Sequence, residues 1–293
     1  VRGAMATSAN RVTPQAPLLA ACAAVLTVFN GEVQQYLRED DGVKVSPVVI
    51  AWGSQLWGLV VLKPAVGYWR PLVEDVGRTR CLSGILSLSC LLLAYNYFLV
   101  AAADDLPLAT LHAVTQTAVP AAYFASLYSL DYVQHSPDKA VVAVLAWVGG
   151  GLAATTVPWG TSTGSGLVLA WLAAASFVVY QVAFSSRFCS TTVPPHGVAL
   201  VYSAGVGMVS VLLSPLILGG AAAGLVALPR LSTPGLAFYA SCAVSCFVLG
   251  LYHMVLLTGS PLVLSVGVGL AIPLSLLFDM GVLSLNVSLW EIL

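Results

Sequence analysis

One stretch of this chain occurs twice. Tyr97 to Ser126 reads YFLVAAADDLPLATLHAVTQTAVPAAYFAS, and Tyr252 to Asp279 reads YHMVLLTGSPLVLSVGVGLAIPLSLLFD. Each is an apolar segment, a short polar turn and a second apolar segment with a proline at matching depth. Pro120 follows Pro107, and Pro273 follows Ser260, by the same thirteen-residue step. The pattern predicts two copies of one helical hairpin in equivalent places of two related halves.

Composition decides which solvent such hairpins face. Hydrophobic residues make up 59% of the 293, charged residues only 8%, and the mean hydropathy is +0.93. A soluble domain is about one quarter charged, so this chain lacks the polar surface to cover itself in water. A bilayer reverses the requirement, since a spanning helix needs roughly 20 mostly apolar residues. Nine stretches qualify: Pro17 to Tyr36, Pro47 to Val66, Leu82 to Ala102, Leu106 to Leu130, Ala140 to Trp159, Gly166 to Phe188, Gly197 to Leu218, Gly235 to Leu257 and Pro261 to Leu283. The expected fold is all-α, a polytopic transmembrane helix bundle, with the lipid bilayer as its first partner.

The connections are mostly short. Asp104-Asp105 and Thr258-Gly259-Ser260 read as the tightest, which makes their flanking helices antiparallel neighbours, and Gly67 to Arg80 reads as the longest linker, carrying much of the charge. The first apolar stretch is as long as a span and has no cleavage-like end, so it reads as a first transmembrane helix rather than a signal peptide. Trp290 to Leu293 stands where a further apolar segment would begin, and a ten-helix protein lacking its last helix is expected. With a cytoplasmic N-terminus, eight Lys and Arg fall on the cytoplasmic side and only Arg38, Lys44 and Arg230 on the other, as the positive-inside rule requires. The sequon Asn286-Val287-Ser288 then faces the lumen or the outside.

Several function classes drop out. A net charge of −1 with pI near 6.4 provides no basic surface for nucleic acid. The six cysteines form no CxxC pair and no disulfide framework. Cys242 and Cys246 lie one turn apart with His253 two turns on, the outline of a soft-metal site, but buried cysteine commonly acts as a small hydrophobe and no metal or redox cofactor is assigned. There are no paired catalytic aspartates, no HExxH and no serine elbow of an intramembrane enzyme.

Chemistry is then sought in polar groups inside the spans, each costly to bury without a partner or a water-filled cavity. Asn30, Glu32, Gln34 and Gln35 stand near the end of the first span, Asn96 in the third, His112, Thr115 and Gln116 in the fourth, Gln181 in the sixth, His253 in the eighth and Asp279 in the ninth. His112 and Gln116 are one turn apart and share a face with Thr115, so they are expected in one cavity. No Lys or Arg lies mid-span, which favours a cationic or neutral solute, or a proton as coupling ion, over an anion. Gly149 to Gly151, Gly205 with Gly207 and Gly267 with Gly269 predict close helix packing. Pro120 and Pro273 predict kinks at matching places. Trp52, Trp57, Trp69, Trp159 and Trp290 read as an interfacial belt.

Short hairpins, duplicated halves and prolines in the fourth and ninth spans resemble the drug/metabolite transporter superfamily, the EamA-like transporters. Three stretches resemble its solute carrier family 35 F branch, which includes thiamine-transporter-like proteins: Gly31 to Tyr36, Tyr95-Asn96-Tyr97, and Ala271 to Ser275 with Asp279. The resemblance implies two repeats of five helices, here a cytoplasmic segment 1–16, a first repeat 17–159 and a second, incomplete repeat 160–293. It implies a central cavity and alternating access, with Glu32, Asn96, His112, Gln116 and Asp279 facing or bordering the substrate. The expected activity is secondary transport of a small organic solute, cationic or neutral and with a thiamine-like solute among the candidates, in a Golgi, vacuolar or plasma membrane. A nucleotide-sugar exchanger of the secretory pathway and a non-transporting scaffold stay open, as does a homodimer.

Overall fold

The computed structural model describes residues 13–39, 45–131, 133, 135–155, 161–229 and 233–281. These form twelve α-helices and one short 3-10 helix: α1 Gln15–Glu39, α2 Pro47–Leu56, η1 Trp57–Val61, α3 Leu62–Val76, α4 Arg78–Ala102, α5 Leu108–Gln116, α6 Ala118–Ser129, α7 Pro137–Thr155, α8 Thr161–Phe188, α9 Pro195–Ala222, α10 Thr233–Thr258, α11 Pro261–Gly269 and α12 Ala271–Gly281. No strand occurs among the described residues.

Local chemistry fixes the helix ends. Pro47, Pro195 and Pro261 open α2, α9 and α11, where a missing N–H costs nothing. Ser260 caps α11 by accepting from the Val263 N–H at 3.3 Å. Gly224, at φ +72, closes α9 in a Schellman turn, in which Leu225 N–H donates to Gly220 O at 2.9 Å.

Among the described residues, six stretches are long and apolar enough to cross a bilayer: Gln15–Gln34, Pro47–Val76, Arg78–Ala102, Gly164–Phe188, Pro195–Ala222 and Gly235–Thr258. Their outward faces carry Leu18, Val25, Phe29, Leu86, Leu212 and Leu216, each more than half exposed. Such a surface is stable against lipid and not against water. The protein is a multi-pass membrane helix bundle.

The other three expected spans differ in form. Leu106 to Leu130 is divided into α5 and α6 at Thr117, and Pro261 to Leu283 into α11 and α12 at Leu270. Each break falls three residues before its proline, Pro120 or Pro273, so the kinks expected from sequence are single-residue interruptions. Ala140 to Trp159 corresponds to α7, described to Thr155.

The expected linker Gly67 to Arg80 is not a linker. Helix α3 runs through it to Val76, with Arg70 and Glu74 paired at 2.8 Å one turn apart, and only Gly77, at φ +91, separates it from α4. The turn at Asp104-Asp105 is conversely longer, from Ala103 to Pro107. Trp52 is not in a belt: it is 8% exposed, and its indole donates to Ser210 O at 2.9 Å. Trp57 is 39% exposed, whereas Trp159 and Trp290 lie outside the described residues, as do the sequon and the N-terminal segment up to Val12.

The two largest packed pairs are antiparallel. The largest contacts join α4 to α8 and α1 to α10; α2, η1 and α3 run along α9; α5 and α6 pack on α7 and α8; α11 packs on α1 and, with α12, crosses α5 and α6. Small residues set the closest approaches. A Cβ on Gly207 would lie 2.6 Å from Leu59 N, and one on Gly205 2.7 Å from Ile85 Cγ2. Gly267 likewise abuts Ala20, while Gly149 and Gly151 meet nothing within 4 Å and take no part in the packing expected of them.

Candidate functional site

The second half of α1, the middle and end of α2, the end of α4, the start of α5 and the middle of α10 border a cavity of about 110 Å³. Its polar wall on α1 is Thr27, Asn30 and Gln34, spaced by one and two turns so that all three share a face. Ser54 and Gln55 come from α2, Tyr95 and Asn96 from α4, His112 from α5, and Ser245 and Tyr252 from α10. Leu99, Leu108, Val248 and Leu249 supply apolar wall.

Hydrogen bonds hold this wall in place. Asn30 Nδ2 donates to Ser245 Oγ at 2.7 Å and Gln34 Nε2 donates to the same oxygen at 3.0 Å, which fixes α1 to α10. Thr27 Oγ1 donates to Ala23 O at 2.7 Å, so the 2.8 Å contact between Thr27 and Tyr252 has the tyrosine as donor. Gln55 is held across the bundle, donating to Ser89 O at 3.4 Å and accepting from Ser210 Oγ at 3.3 Å. The ring of Tyr95 stacks on Phe177, 4.5 Å away at 18°, giving the cavity one flat, rigid side.

The sequence-predicted residues separate into groups. Asn96 and His112 line the cavity; His112 is 4% exposed, and its Nε2 is buried without a partner. Gln116 and Thr115 do not join them. They border a second space of about 20 Å³, room for one water molecule, with Tyr95 shared between the two. One turn of helix was enough to carry Gln116 past the ring. Glu32 lies beside the α1 face rather than on it, half-buried with Oε1 shielded, because each helical residue turns about 100° from its neighbour. Asp279 is in α12, but its side chain lies outside the described residues.

Gln116 has a different task. Its amide nitrogen donates to Ser265 O at 3.0 Å and its oxygen accepts from Gly269 N–H at 3.2 Å, an orientation set by these partners. A side chain from the break in one split helix thus grips the last turn before the break in the other. Ser265 Oγ donates in turn to Gln181 Oε1 at 3.0 Å, extending the polar bridge to α8.

Beyond the Tyr95–Phe177 stack, aromatic rings fill the opposite half of the bundle. Phe177, Tyr180, Phe184 and Phe188 follow one stripe of α8, and Tyr202 of α9 and His253 of α10 close on them. Tyr180 Oη is hydrogen-bonded to His253 Nε2, while Phe184 stacks on the imidazole at 5.0 Å and Tyr202 meets it edge-on at 4.7 Å. Cys242 stands three turns before His253, about 16 Å along the helix, and its Sγ packs near Gly53 instead. Among the described residues no three His, Cys, Asp or Glu side chains converge on one point.

Sequence reasoning passed over Ser54, Gln55, Ser245 and Tyr252 as site residues. The signal was present in Ser54-Gln55 within the otherwise apolar run from Pro47 to Val66.

No protein-family model and no curated protein matches this chain. Thirteen chains of solved structure do. One of them, a crystal structure of a protein, aligns with a TM-score of 0.64 over 94% of this chain and 91% of its own, at 16% identity. At that identity the likeness concerns the fold alone.

Proposed function

We propose that this protein is a secondary-active transporter that moves a small organic solute across a membrane by alternating access. The observation that carries the reading is the asymmetry along the bundle. A polar cavity opens within one half, and the half beneath it is packed shut with aromatic rings. Alternating access needs one end sealed while the other admits solute, and it needs elements able to exchange those roles.

Related halves would supply that exchange, and the packing supports them. If α1, the α2–α3 rod, α4 and the split α5–α6 correspond in order to α8, α9, α10 and the split α11–α12, each major contact maps onto another except those of α7, which has no counterpart among the described residues. The α4–α8 pair becomes α10–α1, the α5–α6 packing on α8 becomes that of α11–α12 on α1, and the α2–α9 crossing maps onto itself. The two split helices break three residues before matching prolines, which adds hinges in equivalent places. This supports the repeat and, with it, the resemblance to drug/metabolite transporters; Asn96 and His112 are then solute-facing groups, and Gln116 couples the two hinges.

Counterflow in proteoliposomes tests the reading. Vesicles preloaded with a solute panel should show saturable, trans-stimulated uptake of at least one labelled member, with and without a pH gradient. If folded protein gives no trans-stimulation for cations, neutral solutes or nucleotide sugars, the transport reading fails and a scaffold takes its place. Exchange confined to nucleotide sugars would redirect it to that class.

A further inference from the structure

The hydrogen-bond account of the cavity specifies what must enter it. Thr27 spends its hydrogen on Ala23 O and Tyr252 spends its own on Thr27, so the Tyr252 oxygen is left as an acceptor. Asn30 and Gln34 each direct an N–H to Ser245 Oγ, and their carbonyl oxygens, Oδ1 and Oε1, have no bond among the described residues. Gln55 is spent at both ends, and Ser54 donates to Ile50 O at 2.8 Å. Asn96 makes no side-chain hydrogen bond among the described residues and is half-buried on the cavity wall. The unspent functions are therefore acceptors at Asn30, Gln34 and Tyr252, the hydroxyl hydrogen of Ser245, the unpartnered Nε2 of His112 and one free carboxamide at Asn96.

None of the described lining residues is Lys, Arg, Asp or Glu. An ion brought out of water into such a wall would pay several kcal/mol of desolvation with no counter-charge on the wall to offset it. The volume of about 110 Å³ is near that of an engineered cavity of roughly 150 Å³ that takes benzene. The Tyr95 face, held by Phe177, is flat.

We infer that the ligand of this cavity is an uncharged, planar solute of about one six-membered ring that presents N–H or O–H donors to the Asn30 and Gln34 carbonyls and an amide-compatible edge to Asn96. This rests on the transport reading of the same cavity and goes further, by excluding organic cations of the thiamine kind as well as anions.

The test measures two things on the full chain. The first is uptake into proteoliposomes of labelled uracil, cytosine and nicotinamide, against thiamine as cation and uridine monophosphate as anion. The second is the shift in unfolding temperature that each probe produces for protein in nanodiscs. The inference expects saturable uptake and a raised unfolding temperature with one or more of the uncharged rings, and neither with the ions. Asn96→Ala should lower that uptake about tenfold, the equivalent of one lost hydrogen bond to the solute. Because the Asn96 side chain bonds no other described residue, its replacement should leave the unfolding temperature of the ligand-free protein unchanged; Gln34→Leu gives a second reading from the opposite wall. Stabilisation by an uncharged ring without uptake would keep the ligand class and sink transport. Uptake of thiamine or uridine monophosphate but not of the rings would overturn the ligand class and keep transport. No response to the rings in either assay also overturns it.

Discussion

At the end of the bundle where α1 finishes and α2 begins, Asn30, Gln34, Asn96 and Ser245 border empty space. In the opposite half, α8, α9 and α10 meet on Tyr180, Phe184, Phe188, Tyr202 and His253, none more than 1% exposed. The two regions use helices of similar length and hydropathy, and the difference lies in what their inward stripes carry. Carboxamides and hydroxyls keep a cavity hydrated because each retains an unspent acceptor or donor, whereas rings exclude water by filling the space. A polar cavity wall gives up packing so that it can receive a solute; the aromatic half keeps its packing and acts as a seal.

The largest effect expected from breaking this contrast is at Phe184. Phe184→Ala removes a ring that touches Tyr180, Phe188, Tyr202 and His253. It should cost about 3 kcal/mol, the low end of the range in soluble cores, because unfolded helices in lipid do not lose their apolar surroundings. Thermal unfolding in nanodiscs reads the loss, and solute leak through the mutant would show that the seal has opened. Next comes the bridge between the split helices. Gln116→Leu forfeits two hydrogen bonds to backbone and should cost about 1–2 kcal/mol. Gly269→Ala places a methyl group 3.1 Å from the Gln116 amide nitrogen, so in a double-mutant cycle the pair should be non-additive by about 1 kcal/mol. Additive costs would mean that Gln116 does not hold the α11 break.

A smaller effect sharpens the view of the aromatic half. Tyr180→Phe strands the imidazole nitrogen and should cost about 1 kcal/mol, and adding His253→Phe should recover most of it, since exchanging both members of a buried polar pair for rings of like shape is close to neutral. A double variant that unfolds further would show that the pair does more than satisfy itself. Smallest of all, Asn96→Ala should change stability by less than about 0.5 kcal/mol. If it destabilised as much as Phe184→Ala, the distinction between a receiving half and a packed half would be lost.

Much of the site was legible as single residues and little of it as an assembly. Asn96 and His112 stand out in apolar runs because polar groups are costly there, and both line the cavity. Gln116 stands out for the same reason, yet its amide serves the backbone at Ser265 and Gly269 rather than the main cavity. Glu32 misses the wall although Gly31 lies on it, for lack of a tertiary frame to orient the helix. Ser245 and Tyr252 do not stand out in the sequence, because serine and tyrosine are tolerated in spans when a neighbour pairs with the hydroxyl, and the neighbours that do so, Asn30, Gln34 and Thr27, are more than 200 residues away in sequence.

The sequence by itself determined the solvent, the helical class and the matching positions of the two breaks, because apolar run length and proline placement act locally and need no partner. It does not determine Gly67 to Arg80, where charge suggests a linker but a charged helix with an Arg70 and Glu74 pair forms as readily. Only the tertiary structure decided which face of each helix turns inward, which polar groups spend their hydrogens on one another, and which half is packed with rings. Those outcomes depend on contacts between helices distant in the chain, such as α1 with α10 and α4 with α8, and rotation about a helix axis costs little until such a contact fixes it.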